Sequence, residues 1–291
     1  MTDLSGINLA MQTPMHPDGS IDYKQWEKLI EDYLEAGVQG LVLGSGTGQH
    51  PYLTRTECDK LYEIGAKRIN GRCNLICQTS ALVVEEVIER SRHAEALGAD
   101  ALMILPPYLE GPEDDDGLFE FYRSIDKAIS IDVIGYNIPQ TTGIAISIDL
   151  FKRLNQLDHF SYIKDSAGDL TTHQVYIATG HRVLNGCDPT TLFALMAGAT
   201  GCIWGGANYM PREAVQLYEQ VKAGQHAEAL SLWQRMLPSL LFVWAGKYIP
   251  KVKAASRLRG FDGGSVRAPL QNLGAEEQRQ LEACLEPLMR Q

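Results

Sequence analysis

Residues 132–164 contain a strand–helix–strand pattern, with DVIGY at residues 132–136, IDLFKRL at residues 148–154 and FSYIK at residues 160–164. The first and third runs are short and apolar on both faces, as is typical of strands in a parallel sheet that helices cover. The middle run has a helical pattern. The segment therefore predicts two parallel β-strands that are joined by a helix.

The same alternation of short apolar runs and helical patterns extends in both directions along the chain. Further strands are predicted at residues 6–11, 40–43, 74–78, 101–105, 182–185 and 201–204. Further helices are predicted at residues 22–36, 54–69, 84–97, 118–128, 170–179, 190–197 and 214–222. Eight such units favour a closed (β/α)8 barrel, the TIM barrel of the α/β class, over an open doubly wound sheet. The open sheet is also disfavoured because no GxGxxG motif follows the first strand.

Beyond the eighth unit the pattern contains helices only, at residues 227–244, 252–259 and 275–289. These segments exceed what eight units need, and no low-complexity linker separates them from the barrel. We therefore expect the barrel to occupy residues 1–222. A small C-terminal helical bundle, residues 223–291, is expected to pack on it.

The composition is that of an ordinary globular protein, with 291 residues of which 45% are hydrophobic and 21% charged. A formal net charge of −10 argues against nucleic acid or an anionic membrane as a partner. No apolar run approaches the roughly 20 residues that span a bilayer, and residues 1–9 lack the features of a secretory signal. The six cysteines form no CxxC pair, and a chain of this size needs no disulfides. We therefore expect a reduced, cytoplasmic protein.

Barrel enzymes carry their reactive groups where the strands end, at the carboxyl face of the barrel. Lys164 closes an apolar strand, so it loses hydration and its free amine becomes available to attack a carbonyl. Tyr136 ends the preceding strand, which lets both side chains point into one barrel mouth, and a phenol can donate and accept the protons of imine formation. The alternatives are a lysine that extends its amine to solvent and a core tyrosine bonded to a backbone group.

A glycine-rich loop follows the second strand, with the sequence GSGTGQ at residues 44–49. Its N–H groups and the hydroxyls of Ser45 and Thr47 suit a carboxylate or a phosphate. Gly205 and Gly206 follow the eighth strand, where many barrels bind phosphate, although the next basic residue is Arg212. The chain has no HxH or HExxH motif, so we expect neither a metal nor a cofactor.

Three motifs occur in the order and spacing of a known family: TG at residues 47–48, YN-P--TG at residues 136–143 and IKD at residues 163–165. Together they resemble the dihydrodipicolinate synthase/N-acetylneuraminate lyase family of class I Schiff-base aldolases and dehydratases, over essentially the whole chain. The resemblance implies that Lys164 forms a Schiff base with pyruvate or a related 2-oxo acid. It also implies that Tyr136 relays protons.

The resemblance further implies how the substrate is held. Thr47, in the loop that it forms with Gly46 and Gly48, would bind the carboxylate, and Gly186 and Ile203 occupy positions that line the pyruvate pocket in that family. Relatives usually form homotetramers or homodimers, so self-association is implied as well.

Several positions depart from the pattern of the synthase branch. Gly46 replaces a threonine, Gln49 a glutamate, and Leu109 the tyrosine that is lent across the subunit interface. Thr141 stands where the synthase has an arginine, which removes the cation expected near the carboxylate of the second substrate. A role in lysine biosynthesis is therefore not expected.

The branch within the family stays open at this point. The Pro-Pro-Tyr-Leu run at residues 106–109 and the loop at residues 46–48 resemble 5-dehydro-4-deoxyglucarate dehydratase, whereas the proline-containing turn after Tyr136 resembles the sialic-acid lyases. Aldol cleavage and dehydration share one enamine on the lysine, so groups beyond C3 of the substrate must distinguish them. The candidates are Thr141, Leu109, Asn208 and Ser166. A barrel that binds a 2-oxo acid without turnover is a further alternative.

Overall fold

Eight parallel strands close into a barrel in the computed structural model, which describes residues 1–112 and 114–290. This confirms the predicted fold class. The strands follow one another around the barrel in chain order: β1 Gly6–Ala10, β2 Gly40–Leu43, β3 Asn74–Gln78, β4 Ala101–Ile104, β5 Asp132–Asn137, β6 Phe160–Asp165, β7 Arg182–Asn185 and β8 Gly201–Trp204.

Helices connect and surround the strands, and a side-chain cap begins several of them. Asp22, Thr54, Ser147 and Asp169 each accept a hydrogen bond from the first turn of the helix that follows. The helices are α1 Tyr23–Glu35, α2 Arg55–Ile69, α3 Val84–Ala96, α4 Asp115–Asp126, α5 Pro139–Thr142, α6 Ile148–Leu154, α7 Leu170–Ala178, α8 Thr191–Met196, α9 Pro211–Lys222, α10 His226–Trp244, α11 Tyr248–Leu258 and α12 Ala275–Met289.

Several helices begin earlier than the sequence pattern indicates, and two of these shifts involve a proline. Helix α9 starts at Pro211 and α11 at Tyr248, with Pro250 in its first turn. A proline is tolerated there because the N–H groups of the first turn have no acceptor within the helix. The earlier start of α11 carries Tyr248 to the mouth of the barrel, which matters for the site.

The interior of the barrel is filled by side chains at alternate positions of the strands. On β5 these are Ile134 and Tyr136, and on β6 Tyr162 belongs to the same cluster. Lys164 lies two residues beyond Tyr162 and therefore shares the inward face. At the opposite end the hydroxyl of Tyr162 donates to the carbonyl of Thr2 at 2.6 Å, so the N-terminal segment covers that end of the barrel.

Helices α10, α11 and α12 follow the eighth unit and pack against one another, and α10 also packs against α9. Trp233, Met236 and Leu240 on α10 are buried, which anchors this helix to the rest of the molecule. Among the described residues, no helix combines the length and the apolarity that crossing a bilayer demands.

Candidate active site

A cavity of about 450 Å³ opens at the carboxyl ends of the strands. It contains the inward-facing side chains of Lys164 and Tyr136 together with Thr47 and Thr141. Its other lining residues come from the strands, from the segments that follow them and from the C-terminal helices: Gly46, Pro51, Tyr52, Gln78, Leu105, Ile138, Gln140, Gly186, Ile203, Gly205, Trp244, Tyr248 and Ile249. Most of the lining surface is apolar.

Lys164 and Tyr136 are direct register partners on the adjacent strands β6 and β5. Neighbouring strands are about 4.8 Å apart, so the two side chains must meet wherever both face inward. The Nζ of Lys164 lies 3.8 Å from the centroid of the Tyr136 ring. Both residues are buried, with 5% and 8% of their surfaces exposed. The lysine therefore lies inside the barrel mouth and does not extend to bulk solvent.

Gly186, which follows β7, leaves the space that the lysine side chain occupies. A Cβ at this position would lie 2.6 Å from Cε of Lys164 and would also overlap the hydroxyl of Ser166. The Ser166 hydroxyl is buried and has no hydrogen-bond partner among the described residues. Any side chain at Gly186 would displace the lysine, so this glycine maintains access to the amine.

Hydrogen bonds through Ser45 support the loop after β2 on the side away from the cavity, and the other side lines the cavity. The hydroxyl of Ser45 donates to the Met11 carbonyl at 3.1 Å and accepts from the N–H of Gly48 at 3.2 Å. Gly48 does not line the cavity, and a Cβ there would lie 2.7 Å from the Met11 carbonyl oxygen. Gly48 thus supports the turn, whereas Gly46 and Thr47 face the cavity.

Several hydrogen-bond donors in the cavity have no acceptor in the part of the chain that the structure describes. They are the amine of Lys164, the hydroxyl of Tyr136 and, on the loop, the hydroxyl and N–H of Thr47. Because these residues line the cavity, their donors are available to an acceptor that enters it. An anionic, carbonyl-bearing ligand would supply such acceptors.

Asp188, for which no role was predicted from the sequence, is a buried carboxyl whose charge interacts with that of Lys164. Its Oδ2 accepts from the hydroxyl of Tyr248 at 2.8 Å and from the N–H of Gly206 at 3.1 Å. Burial raises the pKa of Asp188 to about 7, although the Tyr248 hydrogen bond and the charge of Lys164 oppose that rise. The Oδ1 atom of Asp188 is buried without a partner among the described residues.

Other candidate residues occupy structural positions. Leu109 is 68% exposed and lies outside the cavity lining. Asn208 is fully buried, with its amide donating to the carbonyls of Ala10 and Gly205. Thr141 is therefore the one of the four candidates that lines the cavity, and Ser166 lies behind Gly186.

Asp165, next to the lysine, also belongs to the framework. Its Oδ2 lies 2.8 Å from Nδ1 of the buried His173, and its Oδ1 accepts from the amide of Asn137 at 2.9 Å. These bonds connect β5, β6 and α7 directly behind Lys164. They hold the strand ends that present the lysine and the tyrosine.

The sequence analysis missed the contribution of the C-terminal helices to the site. Trp244 at the end of α10 and Tyr248 and Ile249 at the start of α11 line the cavity. The rings of Trp244 and Tyr248 meet edge to face, 5.8 Å apart. Two aromatic residues on either side of Gly246, where the helices break, were the available signal.

The fold agrees with comparisons to known proteins. The profile of the dihydrodipicolinate synthetase family matches residues 3–288. The chain is 31% identical over 279 residues to a 4-hydroxy-tetrahydrodipicolinate synthase of Oceanobacillus iheyensis, covering 95% of this chain and 94% of that protein. It is 32% identical over 283 residues to the protein of the same name from Acidiphilium cryptum, covering 96% and 97% of the two chains.

Solved structures show the same relationship. A putative dihydrodipicolinate synthetase from Pseudomonas aeruginosa superposes with a TM-score of 0.93 at 32% identity, covering 98% of this chain and 99% of the other. Dihydrodipicolinate synthase from Aquifex aeolicus gives a TM-score of 0.92 at 27% identity, covering 98% of each chain. With the family profile matched along nearly its entire length, this chain belongs to the dihydrodipicolinate synthetase family.

Proposed function

We propose that this protein is a Schiff-base lyase that acts on a 2-oxo acid such as pyruvate or a 2-keto-3-deoxy sugar acid. The observation that carries the proposal is the cluster of free donors around Lys164 in the cavity. Family membership supports it independently. The substrate is a small molecule, and self-association remains a prediction from the family resemblance.

The loop after β2 is suited to hold the carboxylate of the substrate. Thr47 lines the cavity, and its hydroxyl and its N–H, which have no partner among the described residues, can donate to two carboxylate oxygens. Gly205 makes room for this hydroxyl, since a Cβ there would lie 2.6 Å from it. A 2-oxo acid held at Thr47 directs its C2 carbonyl toward the amine of Lys164.

The amine of Lys164 then attacks C2, and water leaves to form the imine. We assign the proton transfers to Tyr136, because its ring contacts the amine and its hydroxyl has no partner among the described residues. The protonated imine withdraws electrons and stabilises the enamine formed by loss of a C3 proton or by cleavage of the C3–C4 bond. Gly186 and Ile203 form part of the cavity wall around the bound 2-oxo acid.

The relatives are named 4-hydroxy-tetrahydrodipicolinate synthases, but a different second substrate is proposed for this chain. Thr141 provides no cation in the cavity, and the side chain of Leu109 points outside it. Among the described lining residues, a carboxylate on the second substrate would meet no cation other than Lys164. A 5-dehydro-4-deoxyglucarate dehydratase-like activity uses the same enamine and is the alternative reaction.

Borohydride reduction in the presence of pyruvate tests the proposal. The protein should gain one reduced pyruvyl group, and peptide mass mapping should place it on Lys164. Absence of an adduct, or an adduct on a different lysine, would refute the Schiff-base mechanism. A panel of 2-keto-3-deoxy sugar acids, scored for release of pyruvate against loss of water, separates aldol cleavage from dehydration. Trapping without any turnover favours a binding protein.

A further inference from the structure

We infer that the second reactant of this site, the aldehyde that joins or leaves C3 of the 2-oxo acid, is uncharged and carries an apolar, preferably aromatic, group. This inference rests on the proposed function, because it assumes that a 2-oxo acid occupies Lys164. It concerns the part of the cavity that such an acid leaves empty.

The volume shows that space remains for a second reactant. A cavity of about 450 Å³ is several times larger than pyruvate, which has six heavy atoms and a volume on the order of 100 Å³ at the packing density of protein interiors. Tyr136 and Gly186 contact Lys164, and Thr47 lines the same cavity. The other lining residues, from the remaining strand ends and the C-terminal helices, bound the volume that pyruvate leaves empty.

The walls of this remaining volume are apolar and aromatic. Trp244 and Ile249 come from the C-terminal helices, Tyr52 from the loop after β2, and Leu105 and Ile138 from the ends of β4 and β5. Such side chains gain free energy by covering an apolar ligand. The polar lining groups Gln78, Gln140 and Thr141 are neutral.

The charges in and around the cavity lining also favour an uncharged second reactant. In the part of the chain that the structure describes, Lys164 is the one charged side chain among the lining residues. Two cations lie beside lining residues, and each is already paired. Arg267 donates to the Tyr52 carbonyl and forms an ion pair with Glu57 at 2.7 Å. Lys247, which precedes Tyr248, pairs with Glu277 at 2.8 Å.

A carboxylate on the second reactant would therefore lose hydration against apolar walls without gaining a cation. A polyhydroxylated aldehyde would leave most of its hydroxyls facing carbon. An aromatic aldehyde has neither disadvantage, because its ring can pack against Trp244. Of the substrates named under the proposed function, the lining therefore favours pyruvate with an apolar aldehyde over a 2-keto-3-deoxy sugar acid, whose aldehyde half is polyhydroxylated, and over the diacid 5-dehydro-4-deoxyglucarate.

The reaction with such a partner balances without an added reagent. The enamine of pyruvate forms a bond from C3 to the aldehyde carbon as the π bond of the aldehyde breaks. The aldehyde oxygen takes up one proton, which balances the proton that C3 lost when the enamine formed. Water then adds to the imine carbon and releases a 4-hydroxy-2-oxo acid, which restores the free amine of Lys164. Cleavage is the reverse sequence.

The test compares three aldehydes with pyruvate as the common donor: benzaldehyde, D-glyceraldehyde and succinic semialdehyde. The kcat/KM for pyruvate consumption should be at least about tenfold higher with benzaldehyde than with either of the others, the range in which apolar pockets discriminate. An equal or higher kcat/KM with succinic semialdehyde or D-glyceraldehyde overturns the inference. So does trapping of pyruvate on Lys164 without turnover of any of the three aldehydes.

Two variants of cavity residues test whether the lining sets the preference for an apolar aldehyde. Trp244→Ala should raise the KM for benzaldehyde about tenfold or more, whereas Leu241→Ala, an exposed position on the same helix, should leave it unchanged. Thr141→Arg should raise kcat/KM for succinic semialdehyde about tenfold without improving benzaldehyde, because it introduces a cation at an exposed lining position. Unchanged aldehyde selectivity in both cavity variants would overturn the inference.

The experiments distinguish failure of the Schiff-base function from failure of the inference about the aldehyde. If borohydride traps no pyruvate on the wild-type protein, the proposed function fails and the inference fails with it. If pyruvate is trapped on Lys164 but a charged or polyhydroxylated aldehyde is preferred, the Schiff-base function stands and the inference alone is wrong.

Discussion

Lys164 and Lys253 are both buried, with 5% and 2% of their surfaces exposed, but their amines have different surroundings. Lys253 on α11 donates to the carbonyl of Thr13 at 2.7 Å and to that of Ser265 at 2.5 Å. Lys164 has a ring at 3.8 Å and a cavity, with no acceptor in the part of the chain described by the structure. The first amine is bonded to the framework, and the second is available to a ligand.

Burial alone therefore does not identify a reactive lysine. Burial lowers the pKa of Lys253 to about 7, yet its amine is enclosed by backbone carbonyls and cannot reach a substrate. Accessibility to a cavity, together with a proton-transfer group in contact, distinguishes Lys164. The contrast can be tested from both sides.

The largest effect is expected from Lys164→Ala, which should abolish the borohydride-trapped pyruvate adduct. Thermal unfolding should occur close to the wild-type temperature, because the removed amine has no hydrogen-bond partner to lose. Lys164→Arg is the matched control, since it keeps a positive charge but cannot form an imine; it should also give no adduct. A trapped adduct in either variant would show that another amine reacts.

The next effect is expected from Tyr136→Phe, which keeps the ring beneath the amine and removes the hydroxyl. Loss of a positioned proton-transfer group costs about 10²- to 10⁴-fold in rate, so adduct formation should slow by that factor while the adduct still forms at Lys164. Rapid quenching of the borohydride reaction at successive times measures the rate.

Tyr162→Phe is the control for this prediction, because Tyr162 lies on the same inward face but bonds Thr2 at the covered end of the barrel. Its adduct should form at the wild-type rate. An equal loss of rate in both variants would assign the effect of Tyr136 to stability and not to proton transfer.

The barrel and the position of Lys164 could be predicted from sequence because local pattern determines both. Runs such as FSYIK are apolar on both faces, and alternation in a parallel strand places the last residue at the mouth. The β-strand at residues 160–164 extends by one residue in the structure, to Asp165. Such shifts at element ends follow from the absence of periodic signal there.

The contributions of Trp244, Tyr248 and Asp188 to the site could not be predicted in the same way, because they depend on contacts between residues far apart in the sequence. Trp244 and Tyr248 reach the cavity only through the packing of α10 and α11 on the barrel, which no local pattern encodes. Lys253 illustrates the same limit: in sequence it is an ordinary helix residue, and its acceptor Thr13 lies 240 positions away.

A pH-dependent effect is expected from Asp188→Asn. The pKa of Asp188 is raised from 3.8 to about 7, so the folded protein retains a proton that the unfolded chain loses between about pH 4 and pH 7. Its free energy of unfolding therefore falls as pH rises through this window, by at most about 1.4 kcal/mol per pH unit. Asparagine does not titrate and lacks this decline.

Urea unfolding at pH 5 and pH 8 measures the effect. The stability of Asp188→Asn relative to wild type should be greater at pH 8 than at pH 5. The variant can still accept from Tyr248 and Gly206 through its amide oxygen, so the fold should be retained. A difference that does not change with pH would mean that Asp188 is ionised throughout.

The smallest effect is expected from the other lysine. Lys253→Met should retain the pyruvate adduct at Lys164 but lower the free energy of unfolding by about 2 kcal/mol, because two buried carbonyls lose their donor. Lys251→Met is the matched control on the same helix: its amine bonds a single carbonyl, that of Phe242, so its loss of stability should be about half as large. Lys253 connects the segment after β1 to the segment after α11, whereas Lys164 contacts no acceptor among the described residues. Loss of the adduct in a folded Lys253→Met protein would therefore show that the reactivity of Lys164 depends on this distant connection as well as on the cavity residues.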